Sequence, residues 1–156
     1  MEETIQLVNF KLSGEEYAID ICNIQEVIRT QKITPVPQMP DFVLGVINIR
    51  GNVIPLFDLR IKFGLTLSEF TDNTKFIVIN IDNNAIGIVV DEILDNIKLH
   101  TSHIDPAPTA KLKMSKEYIK GLGLVEKRMI VILDPEKINE GINNEIESLN
   151  VGDKTL

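Results

Sequence analysis

The chain is poor in the residues from which disulfides and most zinc sites are built. Its 156 residues include one cysteine, two histidines and no tryptophan. A single cysteine, Cys22, excludes an intrachain disulfide and leaves too few thiols for a cysteine-based zinc site. We therefore expect a protein of a reducing compartment, in which Cys22 is a small hydrophobic residue of the core.

Positive charge is also in short supply. Lysine and arginine number 16 against 23 aspartates and glutamates, so the net charge is −7. Nucleic-acid-binding proteins usually carry a clustered surplus of basic residues, and anionic membranes attract the same surplus. No apolar run reaches the roughly 18 residues of a membrane helix, and the N-terminus has no secretory signal pattern. We expect a cytoplasmic protein without direct membrane insertion, whose partners are proteins and not nucleic acid.

Common catalytic motifs are missing as well. The sequence contains no G-x-x-x-x-G-K-[ST], G-x-G-x-x-G, G-x-S-x-G or H-E-x-x-H. His100, His103 and Asp105 are the one group that could suggest a metal, but Pro106 and Pro108 indicate a loop without the ligand geometry of a zinc site. We interpret them as ordinary solvated side chains and expect no metal. A metal-dependent enzyme using these residues remains the alternative from another class.

What the chain does have is a series of short runs rich in isoleucine and valine, separated by compact polar turns. This pattern is typical of an all-β fold built from hairpins. The predicted strands are Ile5–Leu12, Tyr17–Ile21, Val43–Ile49, Val53–Phe57, Phe76–Ile81, Ile86–Val90, Tyr118–Val125 and Met129–Leu133.

Three short segments favour helix. Ile24, Val27 and Ile28 are spaced to share one face of a helical turn. Asp58 can cap a short helix that Gly64 ends.

Near the C-terminus, Asp134 and Pro135 mark the start of a longer helix. We expect its apolar stripe on the barrel surface, formed by Ile138, Ile142, Ile146 and Leu149. We also expect it to end at Asn150, so that residues 1–150 form a single domain and 151–156 a flexible tail.

The two halves of the chain resemble each other. An offset of 76 residues pairs Phe42 with Tyr118 and Asp58 with Asp134, and the glycines at 45 and 121 match as well. An offset of 69 residues relates earlier strands. The repeat predicts two similar small β-barrels. Whether each half forms one barrel, or strands are exchanged between them, stays open.

The hairpin around Arg50 carries the most informative polar residues. Asn48, Arg50 and Asn52 alternate with apolar residues, so one strand face is apolar and the other presents hydrogen-bond donors to solvent. Arg50 could merely solvate a turn. Glu26, however, offers it a carboxylate partner, and a groove with such a pair at its rim fits a helix-in-groove protein interface.

Several segments resemble the CheW family of bacterial chemotaxis coupling proteins. They are Phe10–Ile21, Gln25–Ile28, Thr34–Pro37, Phe42–Gly51 and Val53–Arg60. The resemblance, from about Ile5 to Ile138, implies two five-stranded SH3-like β-barrels around a shared core, with a few short helices and a C-terminal helix. It also implies a non-enzymatic scaffold without a cofactor. Its partners would be the cytoplasmic tip of methyl-accepting receptors and the regulatory domain of the histidine kinase CheA, in membrane-associated receptor arrays.

The resemblance, together with the polar hairpin, yields the candidate partner-binding residues. Glu26, Gly45, Arg50 and Gly51 stand where the family keeps its acidic residue, glycine, arginine and glycine. The full set is Ile24, Glu26, Val27, Gly45, Asn48, Ile49, Arg50 and Gly51. Which of them would face receptor and which kinase stays open. A CheV-type module of another chemosensory pathway is the nearest alternative, but its usual receiver domain would exceed this length.

Overall fold

The computed structural model describes residues 3–106 and 115–154, with side chains described up to Glu147. Within these ranges the chain forms eleven strands and two α-helices, joined by three single-turn 3-10 helices. The strands β1 to β11 are Thr4–Leu12, Glu15–Asp20, Ile24–Arg29, Val43–Ile49, Asn52–Phe57, Lys75–Ile81, Asn84–Val90, Glu92–His100, Ile104–Asp105, Ile119–Val125 and Arg128–Leu133. The helices are α1 (Leu59–Lys62) and α2 (Pro135–Lys154), and the 3-10 turns are Ile21–Asn23, Thr101–His103 and Lys116–Tyr118.

The strands form two sheets that correspond to the two SH3-like barrels. The first barrel has the strand order β8-β1-β2-β11-β10-β9, and the second has β3-β6-β7-β5-β4. The expected mainly-β architecture with few helices is confirmed. The expectation of five strands in each is correct only for the second barrel, because the two-residue strand β9 adds a sixth to the first. In the second barrel, a single bridge between Thr34 and Val46 takes the corresponding place.

Each barrel combines strands from both halves of the sequence. The first takes β1 and β2 from the N-terminal half, and the second takes β6 and β7 from the C-terminal half. The joins are parallel pairings of β11 with β2 and of β5 with β7, while the other pairings are antiparallel. Strand exchange, which the repeat left open, is therefore how this fold is built.

The local signals at hairpins and caps perform as expected. Polar turns close the hairpins β1–β2, β4–β5, β6–β7 and β10–β11. The Asp58 carboxylate accepts a hydrogen bond from the Arg60 backbone amide at 3.0 Å and so caps α1. Gly64 follows with φ of +67°, a conformation that glycine adopts without strain.

The predicted helical turn at Ile24, Val27 and Ile28 is wrong. Ile24–Arg29 is the edge strand β3, paired with β6, and its exposure alternates with a period of two. Val27 is therefore 41% exposed, whereas Ile24 and Ile28 are half-buried. A short apolar run fits both helical and strand periods, and here the β-branched side chains pair as strand.

The prediction for Cys22 is also wrong. Cys22 lies in the surface 3-10 turn between β2 and β3 and is exposed. Its backbone amide donates to the Asp20 carboxylate at 3.0 Å, which fixes the turn. That side chain also raises the pKa of the Cys22 thiol, chiefly through a hydrogen bond. The strand Glu92–His100, at an edge of the first barrel, was not predicted at all.

One hydrophobic core extends through both barrels. It contains Phe10 and Tyr17 from the first barrel, Phe57 and Ile77 from the second, and Ile138 from α2, all less than 4% exposed. An interface of this apolar character holds the barrels together as one body. Smaller apolar clusters fill each barrel separately.

A buried ion-pair network adds polar bonds between the barrels. Arg60, which is 2% exposed, donates to Asp58 through Nη2 at 2.8 Å and to Asp91 through Nη1 at 2.8 Å. The second oxygen of Asp91 accepts from the Ser13 amide in the β1–β2 turn at 2.8 Å. Buried charges persist when they are paired and hydrogen-bonded in this way.

The C-terminal helix packs as the apolar stripe predicts. Ile138 and Ile142 are buried and Ile146 is half-buried against the shared core, while the Leu149 side chain lies outside the described part of the chain. The helix extends to Lys154, beyond the expected end at Asn150; residues 155–156 of the predicted tail are outside the described ranges. In the described residues no helix is long and apolar enough to cross a membrane.

Candidate protein-binding surface

The β4–β5 turn places Arg50 at the surface in a constrained backbone conformation. Arg50 and Gly51 both have positive φ, at +50° and +87°. A two-residue hairpin turn of this type matches the twist of its strands, and asparagine or glycine is the usual first residue. Asn48 braces the turn by accepting a hydrogen bond from the Gly51 amide at 2.9 Å.

The Arg50 side chain reaches across the open seam of the second barrel to Glu26 on β3. Nη1 lies 3.2 Å from Oε1 of Glu26, and Nη2 contacts Oε2, so the pair is bidentate. Hydrogen bonding from Arg50 lowers the pKa of the Glu26 carboxyl, and the same bonds raise the pKa of Arg50. The Arg50 side chain is 70% exposed. Such an exposed pair contributes little to stability and leaves donors open to a partner.

The other predicted site residues divide into exposed and buried groups. Val27 and Asn48 are exposed, so they share the surface character of the Arg50 pair. Ile24 is half-buried and packs against the shared core. Ile49 is 7% exposed within the second barrel, and Gly45 is buried. The structure thus brings Glu26, Arg50, Gly51 and Asn48 together and gives Gly45 and Ile49 a supporting position.

A groove that the sequence did not reveal begins beside this turn. It has a volume of about 820 Å³ and extends across the outer surface of the second barrel to α2. Asn52 follows the turn directly, and Gln25 precedes Glu26, so the groove is continuous with the ion pair. Its remaining lining residues are Val36, Met39, Val43, Gly45, Val46, Val53, Ile54, Pro55, Phe57, Asn80, Asn83, Asn84, Ala85, Ile86, Asn139, Asn143 and Ile146. No short motif could have revealed it, because its residues come from five strands, the 35–40 connector and a helix.

The first barrel carries a related ion cluster. Asp95 on β8 is the repeat equivalent of Glu26, at the offset of 69 residues. It pairs with Arg128 at 3.1 Å, and Arg128 also contacts Glu16. These hydrogen bonds, to Glu16 first and Asp95 second, raise the pKa of Arg128. Both barrels therefore join an edge-strand carboxylate to an arginine of the opposite hairpin.

The histidines do not assemble a metal centre with other described residues. The rings of His100 and His103 lie edge to face with centroids 5.9 Å apart, at the end of β8 and in the following 3-10 turn. In the ranges 3–106 and 115–154, no group of three or more histidine, cysteine, aspartate or glutamate side chains is placed to hold a metal ion.

The fold and the surface together define a class: a double-barrel β-protein whose polar features lie in exposed turns and a groove suited to protein contacts. The family model of the CheW-like domain matches residues 6–142. The chain belongs to the CheW-like domain family. It is accordingly a chemotaxis scaffold and not an enzyme.

Individual relatives agree with this assignment. The chain is 40% identical to the chemotaxis protein CheW of Klebsiella aerogenes over 129 residues, which cover 83% of this chain and 78% of that one. It is 37% identical to CheW of Helicobacter pylori, covering 88% and 82%. The scaffolding protein TtCheW of Thermoanaerobacter tengcongensis has a similar structure, with a TM-score of 0.79, 29% identity and 85% coverage of each chain. The CheV-type alternative is not favoured.

Proposed function

We propose that this chain couples methyl-accepting chemotaxis receptors to the histidine kinase CheA in the cytoplasm, within membrane-associated receptor arrays. It binds the receptor's cytoplasmic tip and the kinase's regulatory domain, and it needs no cofactor for either contact. Family membership supports the scaffold role, and the two-barrel body with exposed polar turns supports binding to more than one protein.

The observation that carries the proposal is the conformation of Arg50. A residue other than glycine at positive φ costs of order 1 kcal/mol, and the exposed ion pair with Glu26 returns little. Folding stability therefore gives no reason for arginine at this position. Recognition by a partner does, because the guanidinium holds several hydrogen-bond donors at the groove's end.

The test measures binding of the purified chain to a CheA regulatory domain and to a receptor cytoplasmic fragment. We expect Arg50→Glu to weaken at least one complex by about tenfold or more, through charge repulsion and lost donors. The melting temperature should change little, since the pair is exposed. Lys98→Glu, the same charge reversal on β8 of the first barrel, is the matched control.

A charge swap separates recognition from local structure. The double variant Glu26→Arg with Arg50→Glu re-forms an ion pair across the seam but presents the partner with reversed charges. If binding stays weak in the swap, Arg50 acts in recognition. Recovery of binding would show that the pair only shapes the turn, and failure of the wild-type chain to bind either protein at tens of micromolar would overturn the proposed coupling.

A further inference from the structure

The groove beside Arg50 is lined without a single charged side chain. Aspartate, glutamate, lysine and arginine make up 25% of the chain, so about five of the nineteen lining residues would be charged if the lining followed the composition. Instead the polar lining consists of amides: Gln25, Asn52, Asn80, Asn83, Asn84, Asn139 and Asn143. The rest is aliphatic or aromatic, apart from Met39, Gly45 and Pro55.

The helix side of the groove forms a regular ridge. Asn139, Asn143 and Ile146 follow each other at i, i+4 and i+7 on α2, so they lie along one helix face. This face adjoins the buried stripe of Ile138 and Ile142 without belonging to it. The opposite wall includes Val53, which is 65% exposed, and other side chains of β5.

A ridge of this spacing is what a second helix packs against. Amide side chains both donate and accept, so they can satisfy hydroxyl or amide groups of a partner without a compensating charge. A lysine, arginine, aspartate or glutamate entering the groove would find no counter-ion there. Since burial of an unpaired charge is unfavourable by several kcal/mol, the lining selects against charged partner faces.

We propose that the groove binds an α-helix of the protein partner, through a face that carries aliphatic, amide and hydroxyl side chains and no charge. The inference rests on the proposed coupling function and specifies the partner surface. The Arg50 pair sits at one end of the groove and supplies the charged contact, while the amide lining sets which helix face is accepted. Negative selection against charge then adds specificity in a chain whose net charge is −7.

The test compares two neighbouring asparagines on α2. Asn143→Asp places a carboxylate in the groove with almost no change in shape, and Asn144→Asp makes the same change at an exposed residue of the same helix turn outside the lining. Binding of each variant is measured against the CheA regulatory domain and the receptor cytoplasmic fragment. We expect Asn143→Asp to weaken one complex by about tenfold or more and Asn144→Asp to change it less than about twofold.

Salt and spectra add a second readout. The defect of Asn143→Asp should persist at 0.5 M salt, where exposed charge effects are screened, because burial of the carboxylate causes it. Amide chemical shifts on α2 and β5 should move when the wild-type chain binds that partner. Equal affinities of the two variants for both partners would overturn the inference while leaving the coupling function intact, provided Arg50→Glu still weakens binding. Loss of all wild-type binding would overturn both.

Discussion

Gly45 and Gly121 occupy the same position in the two repeats, and in both a neighbouring segment passes too close for a side chain. A Cβ atom on Gly45 would lie 2.2 Å from the Thr34 carbonyl oxygen, and one on Gly121 would lie 2.6 Å from Cγ2 of Ile104. The repeated glycine is therefore a requirement of the barrel, imposed by the segment that crosses β4 or β10. This explains why Gly45 is buried although the sequence grouped it with the surface residues.

Substitution of Gly45 should be far more damaging than substitution of Gly64. Gly45→Ala has to displace the Thr34–Pro35 backbone, so we expect the free energy of unfolding to fall by about 3 kcal/mol or more. Gly64→Ala also strains a positive φ but meets no atom within 4 Å, and should cost about 1 kcal/mol. Urea unfolding of both variants checks the difference. Equal losses would mean that strain at φ, and not the crossing segment, makes Gly45 necessary.

Tyr17 makes stability depend on alkaline pH. Burial raises the pKa of Tyr17 to about 12, above its ordinary value near 10. Since the folded-state pKa is the higher one, the stabilising contribution is complete below pH 10 and is lost as the pH rises towards 12. We expect Tyr17→Phe to lose less stability than wild type between pH 10 and 11.5 in urea unfolding. Parallel pH profiles of the two proteins would contradict this.

Among the elements, β3 shows how a short apolar run can be assigned wrongly. As a helix, Ile24, Val27 and Ile28 would share one face; as a strand, neighbouring side chains point to opposite faces. The structure has the strand, with Ile28 packed on the second barrel's core and Val27 exposed beside Glu26. The strand assignment places Glu26 at the sheet edge, where it can meet Arg50 across the seam.

Two neighbouring substitutions distinguish these assignments in solution. Ile28→Ala removes core packing and should lower the free energy of unfolding by about 2 kcal/mol, whereas Val27→Ala should lower it by less than about 0.5 kcal/mol. Thermal or urea unfolding of both variants measures the effect. A helical face would make the two losses similar, so similar losses would argue against the strand. Normal stability also makes Val27→Ala a suitable variant for binding measurements.

At the scale of the molecule, strand exchange ties the two halves of the chain into one folding unit. The first barrel cannot close without β8, β10 and β11, and the second cannot close without β6 and β7. The shared core and the Arg60 network connect the same two bodies. Neither half of the repeat contains a complete sheet.

Dividing the chain between the repeats should abolish folding of each part. Fragments 1–73 and 74–156 are each expected to lack dispersed amide spectra when alone, because each leaves barrel edges unpaired and core surface exposed. Mixed or co-expressed fragments should recover the spectrum of the intact chain. Independent folding of either fragment would contradict the observed exchange as a requirement for stability.

Much of the architecture could be predicted from local chemistry. Turn residues located the hairpins, Asp58 and Asp134 marked helix starts, and the repeated aromatic, glycine and aspartate indicated two similar barrels. These features act over a few residues or recur at a fixed offset, so they can be recognised along the chain. The family resemblance extended the prediction to a scaffold that binds proteins.

The tertiary structure decided what depends on distant residues meeting. It paired Glu26 with Arg50, buried Gly45 and Ile49, assigned each strand to its barrel and assembled the amide groove from elements more than a hundred residues apart. Those outcomes follow from packing and sheet register, which a linear pattern does not encode. By itself the sequence determined the strands' turns and the barrels' repeat; folding alone determined which polar residues form one surface.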